Sequence, residues 1–266
     1  MYGNILVPIS RTSNLKFLVD FVNDFLRPGG ELTFVHIITT NIFSISPGEW
    51  RRAMSAISTT HLLSAIDTMG VNYRVRNAGT VASGILAEAA TGKYDLVLLS
   101  NSTYHKRLKN IFGGKLDEVI RQSTTETAVL SYHDDRPLSY RRILIPTSGY
   151  QHAARAARLA GVLAKKYHSE ITALYVGENQ EEAAGALKPV TDGLEASSVN
   201  YRALFRKGPI VETILDEADK GYDLMMIGAT ERGAYQQFLL GSTADRLIKI
   251  SPCPVLMVKS VGKQRA

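Results

Sequence analysis

The stretch that decides the fold is Ile227-Gly-Ala-Thr-Glu-Arg-Gly-Ala-Tyr-Gln-Gln-Phe-Leu-Leu-Gly-Ser-Thr-Ala-Asp-Arg-Leu-Ile-Lys-Ile-Ser-Pro-Cys-Pro-Val-Leu-Met-Val258. A short apolar run, Leu224 to Ile227, delivers Gly228 at its carboxyl end. A loop follows, and Gly241-Ser242-Thr243 open a helix. A second apolar run begins at Val255. Glycines let backbone N–H groups approach an anion closely. A helix start adds unpaired N–H donors and a partial positive charge. Ser242 and Thr243 add hydroxyls. Read locally, this pattern suits a phosphate and suits a simple serine or threonine helix cap about equally well.

Outward from this stretch, the chain repeats itself. Asn4-Ile-Leu-Val-Pro-Ile-Ser10 matches Arg142-Ile-Leu-Ile-Pro-Thr-Ser148, and Val71-Asn-Tyr-Arg74 matches Val199-Asn-Tyr-Arg202. Tyr94 to Ser100 matches Tyr222 to Gly228, and Thr127 to Leu130 matches Cys253 to Leu256 in place. The early segments are offset by 138 residues and the later ones by 128, so the first copy is about ten residues longer between Thr39 and Gly70. A repeat of this length means two copies of one domain. The domains are expected at 1–137 and 138–266, with the junction at the polar run Asp134-Asp-Arg-Pro137.

Each copy alternates strand and helix. In the first, strands are read at Ile5–Ile9, Leu32–Ile38, Leu96–Leu99 and Ala128–Tyr132, with helices at Asn14–Leu26, Val81–Thr91 and Lys115–Gln122. In the second, strands are read at Ile143–Pro146, Ile171–Val176, Leu224–Ile227 and Val255–Val258, with helices at Ala153–Tyr167, Ile210–Ala218 and Thr243–Ile250. Short apolar runs without alternation suit strands buried on both faces. The expected fold is α/β: two tandem domains, each a five-stranded parallel open sheet with helices on both faces and right-handed crossovers. In such sheets ligands sit outside the carboxyl ends of the strands, where strand order reverses.

Composition narrows the function. The 266 residues are 45% hydrophobic and 21% charged, as in ordinary globular proteins. The net charge is +6, with 14 Lys and Arg against 12 Asp and Glu in residues 1–138 and 17 against 13 in residues 139–266. That even spread lacks the clustered footprint of a nucleic-acid binder, so no nucleic acid is expected. No run is long enough to span a bilayer, and the start of the chain has no signal-peptide pattern, so no membrane insertion is expected. The single Cys253 excludes an intrachain disulfide and fits a reducing cytoplasm. Flanked by prolines, Cys253 is expected to be packed rather than reactive.

The six histidines are scattered without metal-ligand spacing, and neither a nucleophile elbow nor a Walker lysine pattern occurs. No catalytic residues and no metal site are therefore expected. His36 is read as a satisfied strand residue. Trp50, in the longer insertion with Phe43 and Ile45, is expected to cover the domain's own core, ahead of anchoring a partner. Glu178, Glu181 and Glu182 are expected in a solvated loop, and the basic run at His105, Lys106, Arg107 and Lys109 on a solvated face.

The glycine loop, the helix after it and the Pro-Cys-Pro-Val strand resemble the signature of universal stress proteins. So do the Ile-Leu-Ile-Pro strand and the repeat length. The resemblance covers nearly the whole chain and is strongest over 139–260. It implies a cytoplasmic stress-response or regulatory protein, not an enzyme, that binds ATP or another adenine nucleotide mainly in the second domain. Carried over to this sequence, the resemblance places phosphates at Gly228, Gly241 and Ser242, the first-strand contact at Pro146, Thr147 and Ser148, and a last-strand contact at Val255, with Ala229, Arg232 and Thr243 completing the nucleotide-binding set. Glu231 stands where the family has its second glycine, and Ser148 where ATP-binding members commonly carry aspartate. The first copy has Ser100 and Thr103 in place of both early glycines and Gly114 in place of the hydroxyl residue, which implies a mainly structural domain. The resemblance further implies an internal domain–domain pseudo-dimer and leaves room for a homodimer. The form Gly-Ala-Thr-Glu-Arg is similar to domains partnered with membrane transporters, and the alternative is a nucleotide-free, transporter-regulating module.

Overall fold

In the computed structural model the described residues are 1–10, 15–39, 46–58, 69–102, 115–132, 138–229 and 242–260. The first copy contributes strands β1 (Tyr2–Pro8), β2 (Leu26–Ile38), β3 (Gly70–Asn77), β4 (Leu96–Ser102) and β5 (Glu126–Tyr132). Its helices are α1 (Leu15–Asn23), α2 (Pro47–Ser58), α3 (Val81–Ala89) and α4 (Lys115–Gln122). The second contributes β6 (Arg142–Thr147), β7 (Glu170–Val176), β8 (Tyr201–Arg206), β9 (Leu224–Gly228) and β10 (Val255–Lys259). Its helices are α5 (His152–Tyr167), α6 (Gln180–Glu195), α7 (Ile210–Ala218) and α8 (Ser242–Ile250).

The strand order is β3-β2-β1-β4-β5 in the first copy and β8-β7-β6-β9-β10 in the second, the same order with each number raised by five. Within each copy β1 and β6 pair in parallel with both neighbours. The fold is thus the doubly wound α/β arrangement expected. By compactness the chain divides into residues 1–100 with 113–127, and residues 101–112 with 128–266, so β5 from Ala128 onward groups with the second unit.

The inner strands are buried on both faces, as their unbroken apolar runs require: Ile5, Leu6 and Val7 in β1, and Ile143, Leu144 and Ile145 in β6, are at most 1% exposed. An aspartate fixes the start of each first strand. Asp95 accepts hydrogen bonds from the N–H groups of Gly3 (2.7 Å) and Asn4 (3.0 Å), and Asp223 accepts one from the N–H of Arg142 (2.8 Å).

Edge strands β3 and β8 lie outside the strands read from sequence, because one side of each faces water and the apolar run is broken. Helix α6 corrects another expectation: Glu181 and Glu182 lie in its first turn, not in a loop. Carboxylates there oppose the positive end of the helix dipole. Trp50 covers core, stacking on Tyr73 at 4.3 Å and meeting Phe34 edge-on at 5.6 Å. Phe43, Ile45 and the basic run 105–109 lie outside the described residues. His36 is buried with Nδ1 3.0 Å from the Ile9 carbonyl, consistent with a satisfied strand histidine. Cys253 is buried beside Ser251, and burial pushes its thiol up and away from the reactive thiolate.

Candidate functional site

In the second copy, β6 and β9 are neighbours, while the chain leaves β6 for β7 and β8 on its other side. The crevice at their carboxyl ends is therefore the switch point of the sheet. A cavity of about 180 Å³ lies there. Pro146, Thr147 and Ser148 from the end of β6 line it, together with Gly228 from the end of β9 and Ser242 and Thr243 from the start of α8. Six residues distant in sequence and expected to cooperate thus meet in one hollow.

The same lining includes an apolar set that the sequence did not mark. Ile210 and Ile214 from α7, Ile227, Leu247 from α8 and Tyr150 form it. The available signal was helical spacing: Ile210 and Ile214 stand four apart, so they share one face of α7. Ile210 is 52% exposed and Tyr150 60%, unusual for side chains with so much apolar surface. The hollow therefore has apolar lining suited to a flat ring. Its hydroxyl residues Ser242 and Thr243 stand at the amino end of α8, where free N–H groups favour an anion. No charged side chain is among its described lining residues.

Two of the expected residues are partly committed elsewhere. The Thr147 hydroxyl accepts from the Gly149 N–H at 3.1 Å and donates to the Ala186 carbonyl of α6 at 3.3 Å. Its first task is to tie the β6 end to α6. Gly228 meets the first turn of α5 so closely that a β-carbon would lie 2.5 Å from the backbone carbon and oxygen of His152. Ala229 is buried, its N–H donating to Val258 at 2.9 Å. Val255 is buried at the start of β10, paired with Met225 and outside the cavity lining. Arg232 and Gly241, with Glu231, lie outside the described residues, as do Thr103, Gly113 and Gly114 of the first copy.

Outside the cavity wall, Arg246 of α8 bonds Glu212 of α7 at 2.8 Å. That bond holds the Glu212 carboxyl below its ordinary range. Among the described residues no group of three or more His, Cys, Asp or Glu could hold a metal ion, and no helix is long and apolar enough to cross a membrane.

The model of the universal stress protein family matches residues 139–259. A universal stress protein of Methanocaldococcus jannaschii is 32% identical over 145 residues, a match covering 47% of this chain and 85% of that protein. This chain belongs to the universal stress protein family. A second relative, from Synechocystis, is 30% identical over 136 residues, covering 46% of this chain and 87% of its own length. Solved structures reach further along the chain. A universal stress protein from Archaeoglobus fulgidus aligns with a TM-score of 0.67 at 18% identity, covering 98% of this chain and 99% of its own. The cytoplasmic domain of a prokaryotic cation chloride cotransporter aligns with a TM-score of 0.65 at 12% identity, covering 100% and 98%. At these identities the two structures speak for the fold alone, and both carry it over a length matching the whole tandem.

Proposed function

We propose that this universal stress protein binds an adenine nucleotide in the crevice of its second domain (138–266) and acts as a cytoplasmic regulatory protein without catalytic residues of its own. The observation that carries this reading is the meeting of Pro146, Thr147, Ser148, Gly228, Ser242 and Thr243 around one cavity at the switch point of the sheet. The apolar wall of Ile210, Ile214 and Leu247 suits an adenine ring, and the start of α8 suits a phosphate. The first domain (1–137) serves mainly as structure, because Ser100 stands where the second copy has Gly228. Titration calorimetry with ATP tests the reading. Ser242→Ala should weaken binding by about 1 kcal/mol, roughly fivefold, the scale of one lost hydrogen bond. Equal affinity in the variant would remove the hydroxyl from the site.

A second reading rests on Ser148 and Glu231, which depart from the ATP-binding pattern, and on the cotransporter domain that shares the tandem fold. In it the chain is a nucleotide-free module that regulates a membrane transporter. Glu231→Gly separates the two. A charge removed near phosphates should raise ATP affinity, and the gain should shrink with added salt. Unchanged or weaker affinity in the variant favours the second reading.

A further inference from the structure

We propose that the second domain carries another site, at the amino ends of β6, β7 and β8, that binds a phosphate monoester. A hollow of about 420 Å³ opens there, lined among others by Arg142, His168, Ser169, Asn200 and Arg202. Arg142 starts β6, whereas Pro146 and Thr147 at its other end line the crevice described above, so the two sites lie at opposite ends of the strand. The proposal does not rest on the nucleotide reading.

The donors in this hollow are held in place and incompletely used. Nη1 of Arg142 donates to the carbonyls of Lys220 (2.5 Å) and Gly221 (3.2 Å), and the guanidinium lies over the Tyr222 ring at 4.6 Å. Those contacts fix its plane and leave the Nη2 hydrogens without an acceptor among the described residues. Arg202 is anchored through Nη2 on the Tyr222 hydroxyl at 3.2 Å and Thr172 at 3.5 Å, which leaves Nε and Nη1. Ser169 Oγ is buried and has no hydrogen-bond partner. The carboxylate among the lining residues is Glu170, whose side chain is 85% exposed and 4.0 Å from Arg142 Nε. Buried Glu217 pairs with Lys220 at 2.7 Å and with Arg202 and Arg206 at 3.7 Å each, so one carboxylate is shared among three cations.

The chain supplies its own control. Asn4 pairs with Glu31 in the first copy as Arg142 pairs with Glu170 in the second. Two residues before each glutamate stand Gly29 with φ +73° and His168 with φ +54°. A left-handed backbone is cheap for glycine and strained for histidine. His168 is the left-handed residue that caps the carboxyl end of α5, its N–H donating to the Ala164 carbonyl, and it brings an imidazole to the same hollow as Arg142, where the first copy has Gly29 and Asn4 at the matching register. Guanidinium groups from two strands, a hydroxyl and an imidazole lining one hollow suit the three oxygens of a phosphate dianion better than the two of a carboxylate. The hollow is larger than inorganic phosphate needs, so a phosphorylated small metabolite fits it better than the free ion.

The test is titration calorimetry on the full chain with glycerol 3-phosphate, inorganic phosphate and succinate as probes. Glycerol 3-phosphate should bind most tightly and succinate least. Arg142→Asn and His168→Gly install the residues of the first copy. The first should weaken glycerol 3-phosphate at least tenfold. The second should weaken it severalfold while raising the melting temperature, because glycine relieves the strained backbone. Ser242→Ala, at the other end of the sheet, should leave this binding unchanged. The proposal is overturned if wild type gives no binding at millimolar probe, if succinate matches glycerol 3-phosphate, if His168→Gly raises the melting temperature with affinity intact, or if Ser242→Ala abolishes the signal.

Discussion

A β-carbon on Gly228 would stand 2.5 Å from backbone atoms of His152 and 2.6 Å from the Ala153 nitrogen. Backbone at a helix start cannot swing aside as a flexible side chain can, so Gly228→Ala must push α5 away from β9. The expected cost is about 1–3 kcal/mol, the scale of overpacking a tight interior. Thermal or urea unfolding of the variant checks it, and an unchanged midpoint would show that α5 gives way freely. Gly228 was legible in the sequence as a glycine at a strand end, but its packing role was not, because α5 lies some 75 residues away in the chain. The same holds for Thr147, whose bond to Ala186 spans 39 residues. Ile210 and Tyr150 were legible only as apolar residues. Their place in the hollow depends on how α7 and the β6 loop meet.

At the scale of elements, each copy carries the same buried knot of polar groups. In the first, Glu88 of α3 is 3% exposed, accepts from the Tyr94 hydroxyl at 2.8 Å, and pairs with Arg76 at 2.8 Å and Arg74 at 3.7 Å. In the second, Glu217 of α7 is 3% exposed, accepts from Tyr222 at 3.2 Å, and pairs with Lys220, Arg206 and Arg202. Burial pushes both carboxyls up, but the hydroxyl and cationic partners together outweigh it and hold both below the ordinary value of 4.5. The unfolded chain therefore binds more protons between the lowered folded values and 4.5. The stability these groups contribute is complete above 4.5 and is lost as pH falls through the folded values. Glu88→Gln with Glu217→Gln should lower stability at neutral pH and flatten the loss toward acid, measured as urea midpoints across pH. An acid limb as steep as wild type would assign it to other groups. These knots tie α3 and α7 to edge strands β3 and β8, which explains why arginines sit on strands that sequence periodicity did not mark. Helix α6 was hidden for another reason. Gly185, Pro189 and Gly193 weaken its propensity, and the packing of Ala183, Leu187, Val190 and Leu194 sustains it.

For the whole molecule, duplication was the most legible feature, because inner parallel strands repeat as unbroken apolar runs that survive divergence. The copies share strand order, the aspartate at the start of the first strand and the buried glutamate knot. They differ at both ends of the sheet: the second copy has glycine and hydroxyl groups at the carboxyl end and arginine with histidine at the amino end. On this account shared residues maintain the fold and differing ones make the second domain the binding domain. Ser148 and Ser10 are both exposed and occupy matching places after β6 and β1, so a bulky side chain at either is tolerated by the core. The decisive measurement is ATP titration of the full chain with Ser148→Trp, Ser10→Trp and wild type. The account predicts one ATP per chain in wild type and in Ser10→Trp, with binding abolished by Ser148→Trp, whose indole fills the cavity. No binding in wild type at millimolar ATP, two sites per chain, or loss through Ser10→Trp alone would contradict it.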